Sequence, residues 1–524
     1  MGEVERGAGV EANLGKTRVY NAAGGDAPPG IAALGPDVRR PAEADLLQKL
    51  QRLPDLQSAW LLLAYCAAPR AQHLLRNVLS ADILPYARAH DAAIWNVVEG
   101  PLGGQGPDEG DAWLAARAVA FLPPSFGGLG LLSAERVFAW ADALPVLRAR
   151  YPEVADGIVH ELEGELARPC LRAAALAAHR LAEAGWEARP DWDACARGAG
   201  SPAVDGELGL GNPGWQRHAV LAPLTSFRER VLLPTLTPAA RALLHSQSGP
   251  HARMWLAAIP SDVASTLKPD LMHVALRRRL RLPLPLTGRC CGAQGRHGCG
   301  AQVDAYGDHH LACPRKGLLP RRGFVVERAW VQVAREAVSP EGRVVPQQWL
   351  EHTTAPQVRA DDRRRLDFVV YGAMTTGEAL CCDATPLTRA GRPVHGADAR
   401  AGVALDAARR RKVARYPELT RGGPQRLVVL AADVGGWNDQ CQQFLRILLR
   451  LPVQRAPPPL RASAAQGWAR RWWSVLSVAL QRAVACSALG VWSMPPLPGA
   501  QDALPLGDVL DLASASAPSR LPLH

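Results

Sequence analysis

The chain has 524 residues, with 60 Lys and Arg against 49 Asp and Glu, a formal charge of +11 and a sequence pI near 9.4. That length argues against one compact core and for roughly two to four domains, while 48% hydrophobic and 21% charged residues exclude a fully disordered or fibrous chain. No uninterrupted apolar run reaches membrane-spanning length, and the segment from Met1 to Arg6 lacks a basic-then-apolar leader pattern, so neither a membrane partner nor secretion is expected.

In chain order, residues 1–40 read as a short polar helix followed by a Gly/Pro-rich stretch. Helical rhythm runs over 41–100, where Leu46, Leu47, Leu50 and Leu53 and then Trp60 to Leu63 recur at i, i+3/i+4. A glycine-rich loop at 99–110 precedes a helix over 111–121. The turn-rich run from Leu122 to Leu131, Leu-Pro-Pro-Ser-Phe-Gly-Gly-Leu-Gly-Leu, leads into helices near 133–150, 152–167 and 169–185. Pro190, Pro202, Gly211, Pro213 and Gly214 mark 186–216 as a linker. Residues 217–282 return to helix and end in a basic segment. After 283 the character changes to a Cys/His-rich loop at 288–315. Then come a helix (321–337), strands (343–350, 364–371, 378–385), a helix (402–416) and a strand (426–434). Helices over 438–451 and 462–486 follow, separated by Pro457, Pro458 and Pro459, and a Pro/Leu/Ser-rich tail from 494 reads as flexible. The expected fold class is multidomain α+β: a mainly helical N-terminal half, a Cys/His knuckle and a small α/β unit.

Four groups of residues carry candidate chemistry. Of the eleven cysteines, Cys290, Cys291, Cys299 and Cys313 fall in one short stretch beside His309. Zn²⁺ takes four thiolate or imidazole ligands in a tetrahedron. Cys291, Cys299, His309 and Cys313 are therefore the expected structural zinc ligands, with Cys290 as the alternative to Cys291 and His297 and His310 as spare candidates; a loop with unpaired thiols is the plain alternative. Cys66, Cys170, Cys195, Cys441 and Cys486 read as small buried residues. Next, Asp367 stands at the head of one strand and Asp383 late in the next. Antiparallel pairing would bring the two together, and a hard cation such as Mg²⁺ or Mn²⁺ relieves the repulsion of such a pair. Two exposed strand-end aspartates without a ligand are the alternative.

The third group is a basic run, Arg409, Arg410, Arg411, Lys412 and Arg415, ending at Tyr416. Such a run suits a phosphate backbone or forms an ordinary solvated helix face. The chain has 55 Arg but only 5 Lys, which is also what a GC-rich coding bias produces, so a lone Lys inside this run stands out. A compact ammonium can orient water where a guanidinium fits poorly. The fourth group, Arg277, Arg278, Arg279 and Arg281, could grip phosphates or could cap a helix end. Trp468, Trp472 and Trp473 could stack bases, although the i, i+4 spacing of the first two favours a core role.

In series these segments resemble the C-terminal half of a non-LTR retrotransposon polyprotein of the class that carries a restriction-like endonuclease after its reverse transcriptase. Gly9 to Thr17 resembles the palm segment that follows the catalytic strand, Leu122 to Leu131 the thumb-side motif, and Ser248 to Ala252 with Trp255, Leu256 and Pro260 the connector before the knuckle. The resemblance, which covers most of 1–450, implies a palm remnant over 1–40, a thumb-like region over 41–185, a connector over 217–287, a zinc knuckle over 288–315 and an endonuclease domain over 321–451; a C-terminal helical segment is read beyond it over 452–493.

It also implies a PD-(D/E)XK nuclease in which Asp367 and Asp383 match the two acids. Thr385 stands where the usual Lys would be, and Lys412 and Tyr416 match the Lys and Tyr that the retrotransposon branch takes from the following helix. The implied reaction is Mg²⁺-dependent nicking of DNA, with DNA as partner, the element's RNA as a further one, and a nuclear location following from the substrate. Polymerase activity is not expected. The only Asp-Asp pair, Asp361–Asp362, follows Arg359 and Ala360 without the aromatic residue of the polymerase turn. A catalytically dead, zinc-containing nucleic-acid-binding remnant and an unrelated helical protein with a fossil resemblance are the competing readings.

Overall fold

The structure, a computed structural model, describes residues 41–71, 75, 80–103, 110–136, 182–183, 215–284, 286, 290–292, 298–386 and 395–490. The palm-like segment, nearly all of the helices read between 133 and 185, almost the whole linker and the tail lie outside the described residues.

The N-terminal helices are α1 (Pro41–Gln51), α2 (Leu56–Leu62, continued by a wider turn over Leu63–Ala67), α3 (Ser80–Glu99) and α4 (Asp111–Ala120). Asp55 starts α2 by accepting from the backbone N–H of Gln57 and Ser58. The Gln57 amide is buried and fully used: it donates to the carbonyls of Ala258 and Ser265 and accepts from the N–H of Leu267. This ties α2 to the chain some 200 residues on, because a buried amide left unpaired is costly.

Helices α5 (Trp215–Phe227), α6 (Pro238–Ser246) and α7 (Pro269–Arg279) follow. Sequence rhythm predicted helix throughout 217–282, but residues 247–268 are turns and bends. The reason is local. Gly249 and His251 hold positive φ, and Asp262 accepts from the Ser265 N–H and hydroxyl, a side-chain turn that competes with helix.

Beyond a short α8 (Asp308–Ala312) comes α9 (Leu318–Val338). The sheet follows: β1 (Arg343–Pro346), β2 (Phe368–Tyr371), β3 (Ala379–Pro386), then α10 (Val403–Arg415) and β4 (Gln425–Ala432). Helices α11 (Asp439–Arg455) and α12 (Arg461–Leu489) complete the described chain. Strand order is β1-β2-β3-β4, antiparallel except for the parallel pair β3/β4 joined through α10. The first two strands are shorter than expected. Gln347 adopts φ 52° directly after β1, and β2 begins only at Phe368.

Both sheet faces are buried, and alternation sorts the strand residues between two clusters. Phe368, Val370, Leu380, Cys382, Val428 and Leu430 face α9 and α11. Val369, Cys381, Leu427 and Val429 face α10, where Leu405, Ala408 and Tyr416 close the layer. Trp330 sits edge-on to Trp437 and Trp473. Trp472 and Trp473 are buried, and Trp472 Nε1 donates to Glu336, so these tryptophans are core. The C-terminal helical segment expected over 452–493 contains α12, which is buried on nearly every side from Trp472 to Ala488 and packs on α7, α9 and α11. Among the described residues no helix is long and apolar enough to cross a membrane.

A candidate metal centre and an acid pair

The Cys/His stretch closes on itself. Backbone pairing joins Cys291 to Gly300 and Ala301. Gly298 is required there, since a Cβ would lie 2.5 Å from the Cys291 carbonyl. Asp304 then starts α8 by accepting from the N–H of Tyr306, Asp308 and His309. Burial opposes ionisation of Asp304, but these donors, His309 first, hold its carboxyl below the usual range.

The result gathers Cys291, Cys299, His309 and Cys313, whose ligand atoms all lie within 4.8 Å of one another. Cys291 and Cys313 Sγ are 3.7 Å apart, and Cys299 Sγ is 3.2 Å from His309 Nε2. Metal–sulfur bonds of about 2.3 Å in a tetrahedron demand a sulfur–sulfur distance of about 3.8 Å. The cluster could hold a metal ion and is consistent with structural zinc. Burial raises the Cys291 thiol, whereas the Ala301 N–H holds the Cys299 thiol below its ordinary range. Cys290 does not join the cluster: it is exposed and bridges to Gln302. His310 turns away to the Ala488 carbonyl, at 2.9 Å, and His297 lies outside the described residues. Cys441 and Cys486 are buried as expected, but Cys66 is exposed, contrary to expectation, because its turn faces solvent.

The basic segment before the knuckle is largely engaged by the fold. Arg278 and Arg279 are each 3% exposed. Arg278 pairs with Asp308 at 3.1 Å and reaches the Tyr306 carbonyl. Arg279 donates to the Gly128 and Ala252 carbonyls. Arg281 pairs with Asp308 at 2.6 Å and lies over the Tyr306 ring, and Arg277 donates to the carbonyls of Pro283 and Leu102. The expectation of nucleic-acid binding is therefore corrected for the buried Arg278 and Arg279, while Arg277 and Arg281 are partly exposed. A buried guanidinium is tolerated when carbonyls and carboxylates satisfy it, and here the fold takes most of the donors. The partners belong to motifs already visible in the sequence. Gln247 and Arg279 bond the Gly127 and Gly128 carbonyls of the glycine-rich turn, and the Gly249 N–H bonds Ser125.

The acid pair forms where β2 begins and β3 nears its end. Phe368 pairs with Cys382, so Asp367 and Asp383 lie opposite on the α10 face. Asp367 accepts from the Ala384 N–H at 2.6 Å. Lys412 Nζ, from α10, lies 2.7 Å from both Asp383 oxygens, and the Thr385 hydroxyl donates to one of them at 3.0 Å. Tyr416 is buried, its hydroxyl donating to the Arg365 carbonyl. Burial and then Asp383 raise its phenol. Asp383 is 2% exposed. Burial first, and then the facing Asp383, push the Asp367 carboxyl up to about 7. The antiparallel expectation thus holds, and Asp367, Asp383, Lys412 and Tyr416 come together.

One group was missed by sequence reasoning. Glu327 of α9 is buried beside the pair: burial and Asp383 raise its carboxyl, and Gln347 donates to it. The Gln347 N–H also bonds the Asp367 carbonyl, at 2.6 Å. A signal existed, since Glu327 stands on the apolar phase of α9 shared by Trp330, Val331 and Ala334. By contrast Arg409, Arg410, Arg411 and Arg415 are exposed on α10. Asp361 and Asp362 belong to a loop, paired with Arg359 and Arg364.

Comparison with known protein families and with curated proteins returned no match.

Proposed function

We propose that the chain carries a metal-dependent DNA endonuclease of the restriction-like kind and is retrotransposon-derived; its one Asp-Asp pair, Asp361–Asp362, is not a polymerase turn. The observation that carries this reading is the juxtaposition of Asp367 and Asp383 across neighbouring strands with Lys412 Nζ 2.7 Å from Asp383. The donor set fits a hard cation. Both acids are oxygen ligands facing each other across neighbouring strands, and Mg²⁺ or Mn²⁺ would relieve the repulsion between them, which adds to burial in raising the Asp367 carboxyl. Asp367 and Asp383 would hold such an ion, which would supply water activation and charge stabilisation at a phosphoryl group.

The chain's own residues have separable tasks. Thr385 fixes one Asp383 oxygen, and the Ala384 N–H fixes Asp367. Lys412, held at 2.7 Å by Asp383, would donate to a water or phosphate oxygen there. Tyr416, by bonding the Arg365 carbonyl, locks the end of α10 to the start of β2. Arg409, Arg410, Arg411 and Arg415 offer an exposed cationic face to the DNA backbone. Zinc in the Cys₃His cluster would pin the knuckle. DNA in the nucleus is the proposed partner and setting, with the element's RNA as a further partner.

The test is nicking of supercoiled plasmid with Mg²⁺ or Mn²⁺, beside Asp383→Ala and Lys412→Ala. We expect metal-dependent nicking, reduced at least about 100-fold by either change. Wild-type protein that binds DNA but never nicks would leave a nucleic-acid-binding remnant and reject the nuclease.

A further inference from the structure

Helix α9 carries more than Glu327. Arg321, Phe324, Arg328, Gln332 and Arg335 recur at helical spacing and share one stripe. Arg321 and Arg335 are exposed, Arg328 is partly exposed, and Phe324 keeps 50% of its surface in solvent. The helix has only two acids, and neither lies on this stripe: Glu327 turns to the acid pair, and Glu336 binds Arg471 and Trp472. The Arg328 guanidinium sits 5.5 Å from the Phe324 ring centroid. Phe324 thus presents an aromatic ring to solvent between cationic side chains.

A short turn joins α9 to β1, so the two run antiparallel, and Glu327 is level with Gln347 at the strand end that carries the acids. With a rise of about 1.5 Å per residue, Phe324 and Arg321 extend about 4.5 and 9 Å beyond that level. That rise carries them past the level of Gln347, at the end of the sheet where Asp367 and Asp383 sit. The other cationic element there, α10, covers the opposite sheet face.

We propose that Arg321, Phe324 and Arg328 form a second wall of the nucleic-acid cleft, opposite Arg409, Arg410 and Arg411. The two arginines hold the phosphate backbone, and Phe324 stacks on an unpaired base beside the cleavage point. The proposal rests on the nuclease reading above. Its occupant is set by charge complementarity together with a flat π-face, the combination that accepts a polyanion with an unstacked base.

The experiment measures fluorescence anisotropy of a forked and a blunt DNA duplex, in Ca²⁺, against the full chain over a salt series. Phe324→Ala should weaken fork binding about tenfold and blunt-duplex binding by less than about twofold, and Phe324→Trp should restore the fork. Arg321→Gln with Arg328→Gln should weaken both DNAs and reduce the salt slope by about two. Arg335→Gln, about 21 Å along the helix from Arg321, should change little. Melting temperatures check that each variant is folded. If the wild type nicks plasmid but the Phe324 and arginine variants bind as it does, the wall is rejected and the nuclease stands. An Arg335→Gln loss as large as that of the arginine pair also rejects the wall, assigning the effect to overall charge. A wild type that binds neither DNA rejects both readings.

Discussion

At the scale of single residues, the most informative group is Asp367. Its carboxyl is pushed up to about 7, first by burial and then by Asp383, whereas an unfolded aspartate titrates near about 3.9. Between those values the unfolded chain has released a proton that the folded chain still holds. The contribution of this group to stability therefore falls as pH rises from about 4 to about 7. A bound cation takes the proton's place, so its benefit grows across the same window. Mn²⁺ should raise the melting temperature more at about pH 8 than at about pH 5.5, and Asp367→Asn should erase that difference. Equal shifts at both pH values would show that no proton is displaced at this site.

Among the elements, the glycine-rich turn and the knuckle illustrate opposite kinds of constraint. In the turn the limit is space. A Cβ on Gly128 would lie 2.1 Å from the Leu122 carbonyl oxygen, a backbone atom that cannot give way. Gly128→Ala should cost at least about 2 kcal/mol in urea unfolding. Gly467, in the exposed first half of α12, meets nothing within 4 Å, and Gly467→Ala should instead stabilise by about 0.5–1 kcal/mol. In the knuckle we expect the limit to be ligation. Cys291 and Cys299 stand on one arm, and His309 within α8 and Cys313 directly after it on the other, beside the backbone pairing of Cys291 and the Asp304 and Asp308 contacts. The purified chain should carry one zinc. Chelation, or Cys313→Ala, should release it and raise amide exchange over 298–313, while the sheet stays protected. Exchange unchanged on metal loss would mean that the backbone pairing and Asp304 suffice.

For the molecule as a whole, the decisive feature is that one apolar cluster runs from Leu47 in α1 to Ala488 in α12. The knuckle docks on the far end of α12 through His310 and through Gly307, whose missing Cβ leaves room for Ala488. Helix α7 joins the knuckle through Arg278 and Asp308. The α/β unit is consequently not closed by its own strands and helices. A chain truncated before α12 would expose the buried faces of α9 and α11, including Trp330 and Phe444. Such a fragment should fail to fold cooperatively, seen as loss of near-ultraviolet circular dichroism and binding of a hydrophobic dye. A truncated fragment that melts cooperatively would show that the sheet layer is self-sufficient.

Local order determined the local features. β-rich runs placed β3 and β4 to within two residues, α9, α11 and α12 are legible to within four residues at each end, and the crowding of Cys291, Cys299, His309 and Cys313 into one short stretch pointed to the cluster. The pairing of Asp367 with Asp383, and the reach of Lys412 to them, followed once the strand order was read correctly. What a linear pattern cannot carry is who faces whom across the core. Arg277 to Arg281 look cationic and available until their partners, Gly128, Ala252, Tyr306 and Asp308, are brought up from up to about 150 residues away. Glu327 looks like one helix acid among others until Gln347 and Asp383 surround it. Whether a charge is solvated or consumed depends on what is packed against it, and that is a property of tertiary structure because burial, not residue type, sets the cost of a charge.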